Sequence, residues 1–324
     1  MSVRGTVVSL AGRSLSIEAT SARAQSAIFP AMAHLAAEPR ADGRPMRWTI
    51  VEEDVSWRPH GFAGTGAYRI RSGGFAFMHT DPASFESYRP EVGIELRAAP
   101  AALAAGDLRA NPACYALAAW LAGPSTQVLH AGAVAYEGAA ALVIGAGGTG
   151  KSTTVLACAM AGAGFLGDDL VLVESGHNAE LIVHCLFATI KLNADSARAL
   201  GVETWPSLGV TPRNKAVVAV GHRLRVVRSA RIVALIVLDP PVIGPPHPAP
   251  MRIAKVLTSI ASMALPVACR TSTPDAWLAT TAALARQLPA YRLPVSWALD
   301  TLGTAVHEII AQAAADQAKR RSTF

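Results

Sequence analysis

Eight consecutive residues, Gly145-Ala146-Gly147-Gly148-Thr149-Gly150-Lys151-Ser152, fit the pattern GxxxxGK[ST]. Glycines let a backbone fold into a nest whose N–H groups point at phosphate oxygens. A lysine after them reaches the β- and γ-phosphates, and the hydroxyl that follows ligates Mg²⁺. The apolar run Ala139–Ile144 ahead of the loop reads as a buried strand. Lys151 to about Gly162 reads as a helix whose positive N-terminal end adds to the anion site. The segment therefore implies a nucleoside triphosphate cradled by residues 145–150, with Lys151, Ser152 and Thr153 at its phosphates.

Asp168-Asp169 is the second chemical cluster. A helix of about 11 residues carries the chain ~17 Å away from the phosphates. Gly162 and Gly164 then turn it, and Phe165–Asp169, if extended, returns ~17 Å. Both carboxylates should come back beside the triphosphate, with Leu170–Val173 continuing as a buried strand. One carboxylate can bind Mg²⁺. The other can accept a proton from an acceptor hydroxyl or orient it for in-line attack. The spacing alone does not divide these two jobs. Lysine is rare here, and Lys191 and Lys215 are therefore candidates to reach a phosphate or a peptide carboxylate, with Arg213 and Arg223 behind them. The plainer reading of the same cations is solvated charge at strand ends.

The elements that must position these groups divide the chain. Residues 1–106 read as a β-rich first domain expected to help select the acceptor, with strands at Val3–Leu10, Ser14–Ile17, Arg47–Val51 and Ala67–Ile70 and eight aromatic residues between Trp48 and Tyr88. Residues 107–324 read as the domain built around the phosphate loop. Asn111 as N-cap with Pro112 after it predicts a helix through Trp120, and Val128–Tyr136 with Ala139–Ile144 a hairpin or two adjacent strands. Farther on, Ile232–Leu238 and Tyr291–Leu293 read as strands, Pro274–Leu284 and Asp300–Ala313 as helices, and His307-Glu308 as a helix-surface pair. With 51% hydrophobic and 16% charged residues, the chain is not a disordered one. No apolar stretch is long enough to cross a membrane, and Met1–Gly5 lacks the apolar run of a secretory signal. The four cysteines form no CxxC pair, which points to a reducing cytoplasm rather than a disulfide scaffold or zinc site. The net charge of +6 comes without a basic helix or aromatic-interleaved basic stripe, so nucleic acid is not an expected partner.

The series His130-Ala131-Gly132, Gly145, Gly150-Lys151-Ser152, Gly164 and Gly167-Asp168-Asp169 resembles the catalytic core of the HPr serine kinase/phosphorylase family. Ile190-Lys191-Leu192-Asn193-Ala194-Asp195-Ser196 resembles a strand-then-helix of the broader group, and the resemblance covers residues 125–300. Where that family carries Glu-Ile-Arg-Gly-Leu-Gly, this chain has His184-Cys185-Leu186-Phe187-Ala188-Thr189. The resemblance implies an α/β fold with a mixed sheet around the phosphate loop, ATP and Mg²⁺ as cofactors, and phosphoryl transfer to a serine. By the same resemblance Asp168, Asp169, His130 and Lys151 are catalytic, and Ser152 and Asp169 hold the metal. Divergent relatives that tailor natural-product precursor peptides, including lasso-peptide precursors, suggest a peptide or small-protein serine as acceptor. The resemblance also suggests a homo-oligomer. Two other functions fit the same residues: a kinase of a small-metabolite hydroxyl, and a regulatory or transport ATPase, for which Leu170–Glu174 would be the carboxylate-bearing strand.

Overall fold

Alternating apolar residues open the chain. In the computed structural model, which describes residues 5–38, 45–53, 65–69, 74–176, 180–242, 247–252, 255–259, 274–296 and 298–322, β1 (Thr6–Leu10) and β2 (Arg13–Ala19) form a hairpin that buries Val8, Leu10, Leu15, Ile17 and Ala19. Helix α1 (Ala22–Met32) follows, its first turn capped by Ser21 Oγ, which accepts from the Ala24 N–H at 3.0 Å. Strands β3 (Met46–Glu52), β4 (Gly66–Arg69), β5 (Phe75–Thr80), β6 (Ala83–Arg89) and β7 (Gly93–Ala98) complete a mixed sheet in the order β1-β2-β3-β7-β6-β5-β4. The strands expected in this part are present, with Val3, Arg4 and Ile70 outside the described residues.

Three short helices lead out of that sheet: α2 (Pro100–Ala104), α3 (Gly106–Ala110) and α4 (Cys114–Leu121). The helix starts two residues later than the expected start at Asn111-Pro112. Asn111 closes α3, and α4 begins behind Ala113, which is left-handed at φ 47°. The orphan N–H groups of α4 are met from another element. Buried Glu86 of β6 accepts from the Tyr115 and Ala116 N–H groups at 3.0 and 2.9 Å, leaving the Asn111 side chain for other work.

The apolar run Val128–Tyr136 is not one strand: His130-Ala131 breaks it into β8 (Thr126–Leu129) and β9 (Gly132–Tyr136). β9 and β10 (Ala139–Ile144) form the expected hairpin, turning on Glu137-Gly138 with φ of 49° and 82°, both in the positive region that a two-residue type I′ turn requires. Helix α5 (Lys151–Met160) and strands β11 (Gly164–Gly167), β12 (Val171–Ser175), β13 (Leu181–Cys185) and β14 (Thr189–Leu192) come next. They are followed by α6 (Ala194–Ala199), β15 (Ser207–Val210), β16 (Ala216–Ala219), β17 (Ser229–Val242), β18 (Ala249–Pro250), α7 (Pro274–Gln287), β19 (Ala290–Ser296) and α8 (Leu299–Ser322).

The second sheet runs β11-β9-β10-β17-β13-β12-β8, with β19 on β17 and β18 on β19; β10–β17 and β17–β19 are its parallel pairs. β10 and residues 232–238 of β17 are buried along their length, which is why both read as unbroken apolar runs. α5 and α8 pack together beside β9 and β10. On α8, His307 is exposed and stacks on Tyr136, ring centroids 4.4 Å apart. A small third sheet, β14-β16-β15, carries the turn at residues 211–215. The result is a mixed α/β architecture with mixed sheets. The apolar cluster beneath the first sheet, containing Leu15 and Trp48, also takes in Leu117, Leu172 and Phe187. Among the described residues no helix is long and apolar enough to cross a membrane, and Cys114, Cys158 and Cys185 are free thiols.

Candidate active site

Strand β10 ends at Ile144 and α5 begins at Lys151, so residues 145–150 form the loop between a buried strand and a helix N-terminus, as the sequence predicts. Gly148 and Gly150 take φ of 88° and 99°, where a side chain would be strained. A Cβ on Gly150 would also stand 3.2 Å from Val295 Cγ1 of β19. Thr149 N–H and Oγ1 both bond the Ala146 carbonyl, at 3.2 and 2.8 Å. Lys151 is buried, and its Nζ donates to the carbonyls of Gly145 (2.7 Å) and Ala146 (3.3 Å). Burial lowers its pKa, against the pull of Asp168 and Asp169.

The return strand is shorter than expected. β11 ends at Gly167, and the Leu170 N–H bonds the Asp168 carbonyl at 2.9 Å, making a tight turn centred on Asp169 at φ 74°. This turn splays the two carboxylates. Buried Asp168 points to α5, where Ser152 Oγ donates to both its oxygens at 3.0 and 2.9 Å, and the Lys191 N–H donates to Oδ2 at 3.2 Å. Half-buried Asp169 points the other way. Its Oδ1 lies 2.7 Å from His130 Nε2, and its Oδ2 accepts from Lys191 Nζ and Asn111 Nδ2, each at 2.7 Å. Ser152, expected with Asp169 at a metal, bonds Asp168 here, because the turn at Asp169 carries the second carboxylate away from α5.

Their acidities part accordingly. Burial, helped by the neighbouring Asp169 charge, raises Asp168 above the usual carboxylate value. Burial would also raise Asp169, but the His130 hydrogen bond and the Lys191 charge outweigh it and hold that carboxyl well below the usual range. Lys191 is the converse: burial opposes its charge, and the Asp169 carboxylate outweighs burial and raises it.

A cavity of about 370 Å³ lies over the loop, lined by Gly147–Thr153 and by Asp168, Asp195, Arg213 and Lys215 among others. Arg213 reaches it from the turn 211–215, with Nη1 4.0 Å from where a Cβ on Gly147 would stand. Lys215 comes from the same turn, which is closed by the Thr211 N–H donating to the Lys215 carbonyl at 2.9 Å. Of the cations singled out in the sequence, Lys151, Lys191, Arg213 and Lys215 thus line one cavity. Arg223 does not; its guanidinium lies over the Trp205 ring, 5.1 Å from the centroid. Thr153 turns toward α6 and shares a 2.8 Å hydrogen bond with Ser196, which follows the N-cap Asn193.

Asn111 and Asp107, whose Oδ1 is 3.4 Å from Lys191 Nζ, are site residues that sequence reasoning missed. The one available signal, Asn before Pro, mimics a helix cap.

No family model and no curated protein matches the chain. Among solved structures 91 chains match. One is the Hpr(Ser) kinase/phosphatase of Coxiella burnetii, with a TM-score of 0.37 and 14% identity over 61% of this chain and 96% of that one.

Proposed function

We propose that the chain transfers the γ-phosphoryl group of ATP, with Mg²⁺, to a serine hydroxyl of a peptide or small protein. The observation that carries this reading is the turn at Asp169, which sets one carboxylate on Ser152 below the loop and the other beside His130 and Lys191. The loop has the left-handed glycines, the buried lysine and the helix N-terminus that suit a triphosphate. Ser152 Oγ and Asp168 supply the hard oxygen donors that suit Mg²⁺. Among the described residues no three His, Cys, Asp or Glu side chains form a metal site by themselves. Bound at Ser152 and Asp168, Mg²⁺ would neutralise charge on the β- and γ-phosphates.

The chain's own residues then have separate tasks. Lys151 leaves the loop carbonyls for phosphate oxygens, and Arg213 and Lys215 close on them from the turn 211–215. Asp169, held ionised, aligns the acceptor hydroxyl. The hydroxyl oxygen bonds to the γ-phosphorus as the bond to the bridging oxygen breaks; ADP leaves with that electron pair, and the hydroxyl proton passes to Asp169. Such a transition state is loose, so positioning counts for more than the basicity of the carboxylate. His130 and Lys191 fix where the carboxylate stands.

Mass spectrometry of serine peptides incubated with ATP and Mg²⁺ tests the reading. Wild-type protein should add one phosphate, and Asp168→Asn and Asp169→Asn should each abolish the gain. Loss of ATP to water with every peptide, or transfer that survives both substitutions, would overturn it.

A further inference from the structure

A second cavity, of about 440 Å³, lies on the far side of Asp169 from the loop. Its walls are the β5–β6 turn with His79 and Asp81, Glu86 of β6, and the α3–α4 region with Asp107 and Tyr115. It adjoins the phosphate cavity through three shared residues, His130, Asp169 and Lys191. The carboxylate that our functional reading gives to the acceptor hydroxyl therefore stands where the two cavities meet.

The cavities differ in charge. Over the loop, four cations, Lys151, Lys191, Arg213 and Lys215, outnumber three carboxylates, Asp168, Asp169 and Asp195. The second cavity carries four carboxylates, Asp81, Glu86, Asp107 and Asp169, against one lysine. That lysine, Lys191, is already engaged, its ammonium 2.7 Å from Asp169 and 3.4 Å from Asp107. The remaining cation-forming group beyond His130 is His79, with Nε2 3.8 Å from Glu86 Oε1 and its ring tilted on Phe77. Asp81 stands exposed beside the cavity, and apolar surface from Leu96, Leu108 and Leu170 lies between the charges. The volume falls within the range of about 300–1,000 Å³ typical of small-ligand sites. It suits a free small molecule, or a serine with one or two of its neighbours.

Resting on the phosphoryl-transfer reading, we infer that this cavity is the acceptor site and that it selects a hydroxyl carried close to a positive charge. The hydroxyl lies at Asp169, and an ammonium or guanidinium group of the same ligand lies against Glu86 and Asp81. Two sources offer that chemistry: a free amino alcohol, or a serine beside lysine or arginine in a peptide.

Competing acceptors separate these outcomes. One series is serine peptides with Lys, Ala or Glu flanking the serine; the other is ethanolamine, ethylene glycol and glycolate. Phosphorylated product is read by mass spectrometry, and ATP binding is titrated independently. In whichever series turns over, the cationic member should lead in kcat/KM by about fivefold, the scale of one exposed ion pair. Asp81→Asn should shrink that preference and Asp81→Lys should reverse it; Asp81 is exposed, so neither change disturbs a core. Equal use of the three charge types, or preference for the neutral or anionic one, would overturn the inference and leave phosphoryl transfer standing. ATP bound but lost only to water in both series would overturn the phosphoryl-transfer reading, and this inference with it.

Discussion

Asp168 and Asp169 are adjacent in sequence and oppositely directed in space, and that separation is the basis of the account. Asp168→Asn should weaken Mg²⁺-dependent ATP binding, because Ser152 and Asp168 form one oxygen pair. Asp169→Asn should leave ATP binding near wild type and cut transfer by about 10²–10⁴, the usual worth of a positioned acid or base. Asn111 is a positioning residue, since its amide fixes Asp169 Oδ2 at 2.7 Å. Asn111→Ala should lower kcat by about tenfold, the scale of one hydrogen bond to a charged group. KM for ATP should stay constant, and Asn111→Asp should be worse, because it sets like charges together. Steady-state kinetics with varied ATP checks the split. At this scale Lys151, Ser152 and the carboxylate pair were legible because local spacing defines them. Asn111 was not, because its partner lies 58 residues away and nothing local announces the contact.

Elements hold these residues in place through backbone conformation as much as through packing. Gly150 combines φ 99° with the close approach of Val295. Gly150→Ala should therefore cost about 1–2 kcal/mol for the left-handed backbone alone. The loss should show as a lower urea midpoint and weaker ATP binding, because the same shift displaces the loop. The strand-loop-helix unit was readable from apolar runs, and the strand-then-helix at β14 and α6 only through the family resemblance; Asn193 caps α6. The break between β8 and β9 was not readable, since His130-Ala131 sits inside a run that is apolar on both sides. Nor was the start of α4, whose cap comes from Glu86 on a strand.

Across the whole molecule, the first sheet and the second are joined by direct bonds as well as by a shared apolar cluster. The Ala188 N–H donates to the Ala31 carbonyl at 2.8 Å, and Arg228 donates to the carbonyls of His34 and Ala36 at 3.0 and 2.7 Å. His34 Nε2 lies 3.3 Å from the Cys185 carbonyl. Burial, with Arg228 adding to it and the Cys185 contact opposing, lowers the His34 pKa from 6.5 to about 4. The unfolded chain thus takes up this proton as pH falls below 6.5, whereas the folded chain does so only near 4. Stability from this group is complete above the unfolded value and falls away through that window, by about 3 kcal/mol in all. Urea midpoints at pH 7 and pH 5 should differ less in His34→Gln than in wild type. The sequence showed no motif in the first half of the chain, yet that half walls the second cavity with His79, Asp81 and Glu86. Its contribution is tertiary: strands distant in sequence bring single side chains to the cavity that Asp169 borders.

The fate of the γ-phosphoryl group separates transfer to a serine from loss to water. Protein given γ-labelled ATP, Mg²⁺ and a cation-flanked serine peptide should place the label on the peptide. Asp169→Asn, with ATP still bound, should place almost none there. Label recovered only as inorganic phosphate, at the same rate in wild type and Asp169→Asn, would contradict a transfer site built around that carboxylate.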